Sequence, residues 1–438
     1  MVKKKIQNTL WKKAKKLIPG GNMLLSKRPE LHLPGLWPAY YSKSKGCYIW
    51  CSENRKLLDM SFMGVGTNIL GYNNRAVDQK VLETVRNGNM TTLNSFEEVT
   101  LAEKLIEMHS WADMAKFARS GGEANSIAIR LARAATGKDN VAICGYHGWS
   151  DWYLSANLTS KNNLNTHHLE GLEPLGVPNK LKNTVFTFEY NNYHQLENLV
   201  ENKKIGVVKM EVSRNFEPKN NFLQKIRKLT KKKGIILIFD ECTSGFRREF
   251  GGLHKFYKIN PDMAVFGKAL GNGYAISAIL GKKEIMEYAQ KTFISSTFWT
   301  ERIGTSAALA TLDEMKRINS WSKITKMGNI IKKKWLILAK KYDLNIRIIG
   351  QPSIPSFIFL SKNHLKYKTF ISQEMLKNNI LASNVIYIST AHLKSHFDKY
   401  FYYLDKIFEK ISYCESSKNK IDKLLETKVC LTGFKRLN

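Results

Sequence analysis

Short apolar runs that recur between helical stretches constrain this chain more than anything else in it: Val141–Cys144, Ile205–Met210, Ile235–Phe239, Met263–Phe266 and Ala275–Leu280. Such runs suit strands buried on both faces, and their alternation with helices predicts an α/β protein built on a mostly parallel sheet. The intervening helices are legible too. Glu123 to Ala135 carries Ile127, Leu131, Ala134 and Ala135 on one face, keeps Arg130 and Arg133 off it, and stops at Gly137. Phe222 to Lys233 is a second amphipathic segment, ending before Gly234.

Two of the runs end in residues that carry chemistry. Asp240 closes the first, in Ile238-Phe-Asp-Glu-Cys-Thr-Ser-Gly-Phe-Arg247, and Lys268 follows the second, in Val265-Phe-Gly-Lys-Ala-Leu-Gly-Asn-Gly273. Both would emerge at the carboxyl edge of one sheet, where such sheets bind ligands. A lysine amine there can condense with an aldehyde as a Schiff base, and a buried carboxylate can keep a pyridine nitrogen protonated. Pyridoxal 5'-phosphate needs both groups. Taken singly, Asp240 is a strand-end acid and Lys268 one lysine among many; the flanking glycines make the pair informative.

A phosphate site is expected beside them. Arg119-Ser-Gly-Gly-Glu-Ala124 opens a helix, where backbone amides of Gly121 and Gly122 and the hydroxyl of Ser120 can meet an anion. The same residues read as a capping box, with Ser120 as N-cap and Glu123 reaching back, and both readings can hold at once. The loop Gly145-Tyr-His-Gly-Trp-Ser-Asp-Trp152 places aromatic rings at the same edge, so that Tyr146 or His147 could stack on a pyridine ring.

At 438 residues the chain exceeds one minimal core. We expect a segment 1–60 contributing to a small lobe, a large cofactor-binding domain over 61–305, and a small carboxyl-terminal domain over 306–438. No apolar run approaches the roughly 20 residues that cross a bilayer. The basic amino terminus runs into the amphipathic Trp11–Ile18 and reads as a surface helix of a cytoplasmic protein. The 6 cysteines form no C-x-x-C pair, which favours a reduced compartment. His392 and His396 have helical spacing but lack the glutamate of an H-E-x-x-H site, so no metal is expected. A net charge of +32 would suit a nucleic-acid binder. Its short lysine runs lie instead along amphipathic segments with no nucleic-acid motif, and solvated helix faces are the expectation.

Taken together, these residues resemble the class-III, fold-type-I pyridoxal-phosphate aminotransferases, most closely the branch of glutamate-1-semialdehyde aminomutase. The resemblance rests on Ser120-Gly-Gly-Glu-Ala124 for S-G-T-E-A, Tyr146-His-Gly148 for Y-H-G, Asp240–Arg247 for D-E-V-x-T-G-F-R, and Phe266-Gly-Lys268 before a glycine turn. It implies a large domain with a mostly parallel sheet flanked by helices, plus a smaller α+β domain built from both termini. By the same resemblance Lys268 carries the cofactor, Asp240 partners the ring nitrogen, and Gly121 and Gly122 cradle the phosphate. Tyr146 stacks on the ring and Cys242 lies beneath it, while Glu211 matches the glutamate of an E-P pair whose proline is here Val212. Thr297 would reach the phosphate of a neighbouring subunit, which implies a homodimer with shared active sites. The expected activity is transfer of an amino group from a small-molecule donor to a carbonyl acceptor; the alternative is an intramolecular aminomutase. Departures bear on substrate more than on cofactor: Arg119 stands for asparagine, Gly122 for threonine or serine with the loss of one hydroxyl contact to phosphate, and Thr243 for the methionine or glutamine beside the ring.

Overall fold

Burial on both faces decides which segments of this chain become central strands. The computed structural model describes residues 2–167, 169–416 and 421–433. The chain divides into two units, Arg75–Ser322 on one hand and Met1–Asn74 with Lys323–Asn438 on the other. Strands of Met1–Asn74 are β1 (Tyr41–Lys45), β2 (Tyr48–Cys51) and β3 (Lys56–Met60). Those of Arg75–Ser322 are β4 (Met114–Ala118), β5 (Val141–Cys144), β6 (Val185–Thr187), β7 (Val207–Glu211), β8 (Ile236–Asp240), β9 (Met263–Phe266) and β10 (Ser277–Gly281). β11 (Ile346–Ile349), β12 (Ser356–Phe359) and β13 (Ile380–Ala382) follow.

Within Arg75–Ser322 one sheet runs in the order β4-β10-β9-β8-β7-β5-β6. Its central pairings are parallel, whereas β10 lies antiparallel to both β9 and β4. Side chains alternate across the sheet as strand geometry requires. Val207, Ile236, Ile238 and Val265 pack on one face with Ile127, Ala128 and Leu131 of the helix Gly121–Thr136. Val208, Met210, Leu237 and Phe239 pack on the other with Phe222, Leu223, Ile226 and Leu229 of the helix Phe222–Lys233. Each such side chain, fully buried, contributes about 1.5–3 kcal/mol, so the two helices fix the register of the strands. Both helices stop where the sequence predicts, at Gly137 (φ 63°) and Gly234 (φ 61°) in left-handed backbone.

The unit formed by both ends of the chain is α+β. Its four-stranded sheet has the order β1-β2-β3-β13, with β13 parallel to β3, and β11 pairs with β12 in a separate ribbon. His392 is used structurally here: Nδ1 accepts from the Ser389 amide (3.1 Å), so Nε2 carries the proton and donates to the Asp59 carbonyl (2.8 Å). Trp335, Phe357, Phe359 and Phe408 build an aromatic core around the ribbon. No helix among the described residues is long and apolar enough to cross a membrane.

One close approach in this unit is testable. A Cβ on Gly328 would stand 1.6 Å from the carbonyl oxygen of Pro352, and backbone cannot give way as a side-chain tip can. Gly328→Ala is therefore expected to lower stability to urea by about 1–3 kcal/mol. An unchanged unfolding midpoint would contradict this packing.

Candidate functional site

Asp240 is where the sheet delivers a charge into the interior. It ends β8 in register with Glu211 of β7 and with Val265, three residues before Lys268 on the neighbouring strand. Its side chain is buried and accepts three hydrogen bonds, which leaves one lone pair of the carboxylate for a further donor. Asn125 Nδ2, from the helix Gly121–Thr136, donates to Oδ2 at 2.9 Å, and the Cys242 amide donates to Oδ1 at 3.0 Å. His147 Nδ1 meets the same Oδ2 at 2.9 Å, and because a carboxylate only accepts, Nδ1 carries the proton. Burial opposes the charge on Asp240. The His147 hydrogen bond and the nearby Lys209 outweigh it and hold the carboxyl far below its ordinary range.

Lys268 is presented by strained backbone. Its φ is +43°, a left-handed conformation that a residue with a side chain adopts only when its surroundings impose it. The amine Nζ donates to Thr243 Oγ1 at 2.9 Å, and Arg214 Nη2 donates to that same oxygen at 3.1 Å. Arg214 is in turn paired through Nε with Glu211 Oε1 at 3.2 Å. Burial and then the positive field of Arg214 pull the Lys268 pKa down to about 8. A lysine in this state is a competent base and nucleophile near neutrality.

Glu211 also organises the aromatic loop. Its Oε2 accepts from the Tyr146 amide at 3.1 Å, and a Cβ at Gly145 (φ +115°) would lie 2.7 Å from that oxygen, so only glycine fits the turn. Tyr146 and His147 then diverge. Tyr146 is half-buried, 6.0 Å from the Arg214 guanidinium, whereas His147 is fully buried against Trp152 and Tyr153 and faces Asp240. A cleft of about 220 Å³ opens beside them, lined among others by Glu189, Tyr190, Glu211 and Arg214.

At the other end Ser120 caps the helix Gly121–Thr136. The capping box is formed: Glu123 N donates to Ser120 Oγ at 3.4 Å and Ser120 N donates to Glu123 Oε2 at 2.7 Å. The amides of Gly121 and Gly122 open the helix and have no acceptor within it. At Gly121 a Cβ would meet Cys242 Sγ at 3.1 Å, and at Gly122 it would meet Trp149 Nε1 at 2.9 Å. These approaches leave no room for a side chain at Gly122 and little at Gly121, so the backbone here is kept bare.

Lys268, Thr243, Glu211, Tyr146, Cys242, Asp240, His147 and Gly121 thus come together at one sheet edge. Thr297 stands apart, exposed at the start of the turn Thr297–Thr300. Arg214 and Lys209 were not foreseen. Arg214 follows the broken E-P pair by a few residues, where only tertiary approach reveals its role, and Lys209 was visible as a lysine inside an apolar run.

Comparison with known proteins agrees with this geometry. The family model for aminotransferase class-III matches residues 34–371. A 3-aminobutyryl-CoA aminotransferase of Cloacimonas acidaminovorans is 30% identical over 385 residues, covering 85% of this chain and 88% of that protein. A glutamate-1-semialdehyde 2,1-aminomutase of Sulfolobus acidocaldarius is 29% identical over 83% of this chain and 89% of its own. In fold, the chain is similar to the FumI protein of Sphingopyxis sp. MTA144, solved in its PLP internal aldimine form. The TM-score is 0.83 at 24% identity, covering 95% of this chain and 99% of that one.

The depressed lysine gives a pH prediction. Lys268 attacks a carbonyl only as the free amine, so trapping by an aldehyde probe and borohydride should increase with pH through a midpoint near 8. Arg214→Met removes a positive neighbour and should move that midpoint upward. A midpoint at the ordinary lysine value, about 10.4, would contradict the site as described.

Proposed function

The chain belongs to the class-III aminotransferase family, and on that premise we propose that Lys268 holds pyridoxal phosphate covalently and serves as the proton-transfer group for moving an amino group from a donor to a carbonyl acceptor. One observation carries the reading: a lysine amine in strained backbone, depressed to a pKa of about 8, beside a buried ionised aspartate on the adjacent strand. The residues present fit the cofactor, since Asp240 can accept a ring N–H and the bare backbone at Gly121 and Gly122 can receive a phosphate.

When bound, the cofactor supplies an electron-accepting ring that stabilises negative charge at the donor's amino carbon. The protein supplies the rest. Asp240, fixed by Asn125 and His147, keeps a proton on the ring nitrogen. Tyr146 and Cys242 would flank the ring. As a free amine, Lys268 Nζ would take the proton from the donor's amino carbon and deliver the same proton to the cofactor's aldehyde carbon, and Thr243 Oγ1 would steady that amine. Arg214, tethered by Glu211 beside Lys268, is placed to meet an acidic group on the donor or acceptor.

We further propose a homodimer in which Thr297 completes the phosphate site of the partner. Leu93, Phe96, Phe293 and Phe298 are 81%, 70%, 88% and 69% exposed, an apolar surface that suits a subunit contact. The second reading, an aminomutase, is favoured by relatives of that name and would use the same residues while keeping the amine within one molecule.

The purified protein should show a visible absorption band from bound pyridoxal phosphate that borohydride fixes to the chain and that Lys268→Ala loses. No band in the wild type would end this reading. Turnover should require a separate amino donor, and product formed from one substrate alone would select the aminomutase. Sedimentation should give twice the mass of the chain, with Thr297→Ala weakening cofactor affinity; a monomer would refute the shared site.

A further inference from the structure

Lys209 occupies the middle of β7, paired in register with Ile143 of β5 and Ile238 of β8, on the sheet face covered by the helix Gly121–Thr136. It is 0% exposed, and its Nζ has no hydrogen-bond partner among the described residues. An unpartnered buried ammonium is costly, and a methionine or leucine would fill the slot without that cost. Such a lysine calls for an explanation from its surroundings.

Two more buried polar atoms lack partners nearby: His147 Nε2 and Asn125 Oδ1. Both residues hold Asp240 Oδ2 with their other ends. Because His147 carries its proton on Nδ1 and Asn125 donates through Nδ2, the two orphaned atoms are acceptors. The donor with three hydrogens and both acceptors are buried, and the charge of Lys209 acts on His147 and Asp240 alike. Asp240 lies diagonally across from Lys209, one parallel strand over and two residues on, a spacing of about 8 Å between backbones that a long side chain spans.

We propose that Lys209 is a positioning residue, a buried cation behind the site that fixes the charge and orientation of Asp240 through His147 and Asn125. This rests on the reading of Asp240 as the partner of the cofactor's ring nitrogen. The titratable and charged groups facing Asp240 are Lys209 from β7, Tyr146 and His147 from the loop after β5, and Cys242 after β8. His147 is held neutral by its burial, and Lys268 titrates near 8. Lys209 is the cation whose field acts on Asp240 from within the sheet. Its own pKa is lowered by burial and raised back by Asp240, as two mutually dependent charges require.

The test uses Lys209→Met, Asp240→Asn and the double variant in the full chain. In cofactor-free protein, urea unfolding should show Asp240→Asn costing clearly more stability in the wild-type background than in Lys209→Met, because only the former strands an ammonium. Cofactor affinity is compared as the ratio of Lys209→Met to wild type at each pH from 5 to 7, which cancels the titration of Lys268 common to both. In Lys209→Met the Asp240 carboxyl rises toward its ordinary range, so its affinity should be about tenfold weaker than wild type and the deficit should widen as pH falls. Additive unfolding effects, or a Lys209→Met affinity curve that overlays the wild type, overturn the proposal. If wild type itself binds no pyridoxal phosphate, the proposed function fails, while the unfolding cycle still decides whether Lys209 and Asp240 act as a pair.

Discussion

A carboxylate kept ionised inside the protein is the constraint from which the rest of the site follows. Asp240 leaves β8 on the face that packs under the helix Gly121–Thr136, and taking a charge out of water there costs on the order of several kcal/mol unless every lone pair is served. The chain serves them from four directions: Asn125 from the helix, His147 from the loop after β5, the Cys242 amide from its own strand end, and the field of Lys209 from β7. Each donor is delivered by an element whose position is set by apolar packing. The order of the site is thus inherited from the order of the core.

The two charged clusters divide the work by what they face. Behind the sheet edge, Asp240 with His147 and Asn125 is dry and fixed. In front of it, Lys268, Thr243, Arg214 and Glu211 form a chain of shared contacts around one hydroxyl. An amine held by a single hydroxyl is retained weakly enough to be exchanged, whereas a carboxylate held by three donors is not. Rigid behind and exchangeable in front is the arrangement that amine transfer asks for.

What could be read from the sequence depended on whether a segment's meaning was local. Ile235–Phe239 and Met263–Phe266 are uniformly apolar and bounded by Gly234 and by Gly267, so strand, edge and the placement of Asp240 and Lys268 were all legible. The Ser120–Glu123 capping box was legible for the same reason, being a four-residue pattern. β4, Met-Ala-Lys-Phe-Ala, carries a lysine and is only partly buried, and β6 is three residues long; neither has the composition of a buried strand. Arg214 acquires meaning only when β7 and the segment after β8 bring it to Thr243, a contact between residues far apart in sequence. Lys209 broke a local rule in plain sight: a charged residue inside an apolar run either disrupts the strand or has a partner that the strand itself does not supply.

The antiparallel strand β10 bears on how the protein comes to be. It is the only ladder neighbour of β4 among the described residues, yet it emerges from the ribosome long after it, behind β5 to β9 and behind Lys268. Until β10 arrives, β4 has no sheet to join, and the lysine side of the site is an open edge. Contacts of such long sequence separation close slowly and leave strand edges exposed meanwhile. The reactive lysine is therefore displayed on an unfinished sheet during synthesis, and the site is sealed by one of the last strands of its unit to be made.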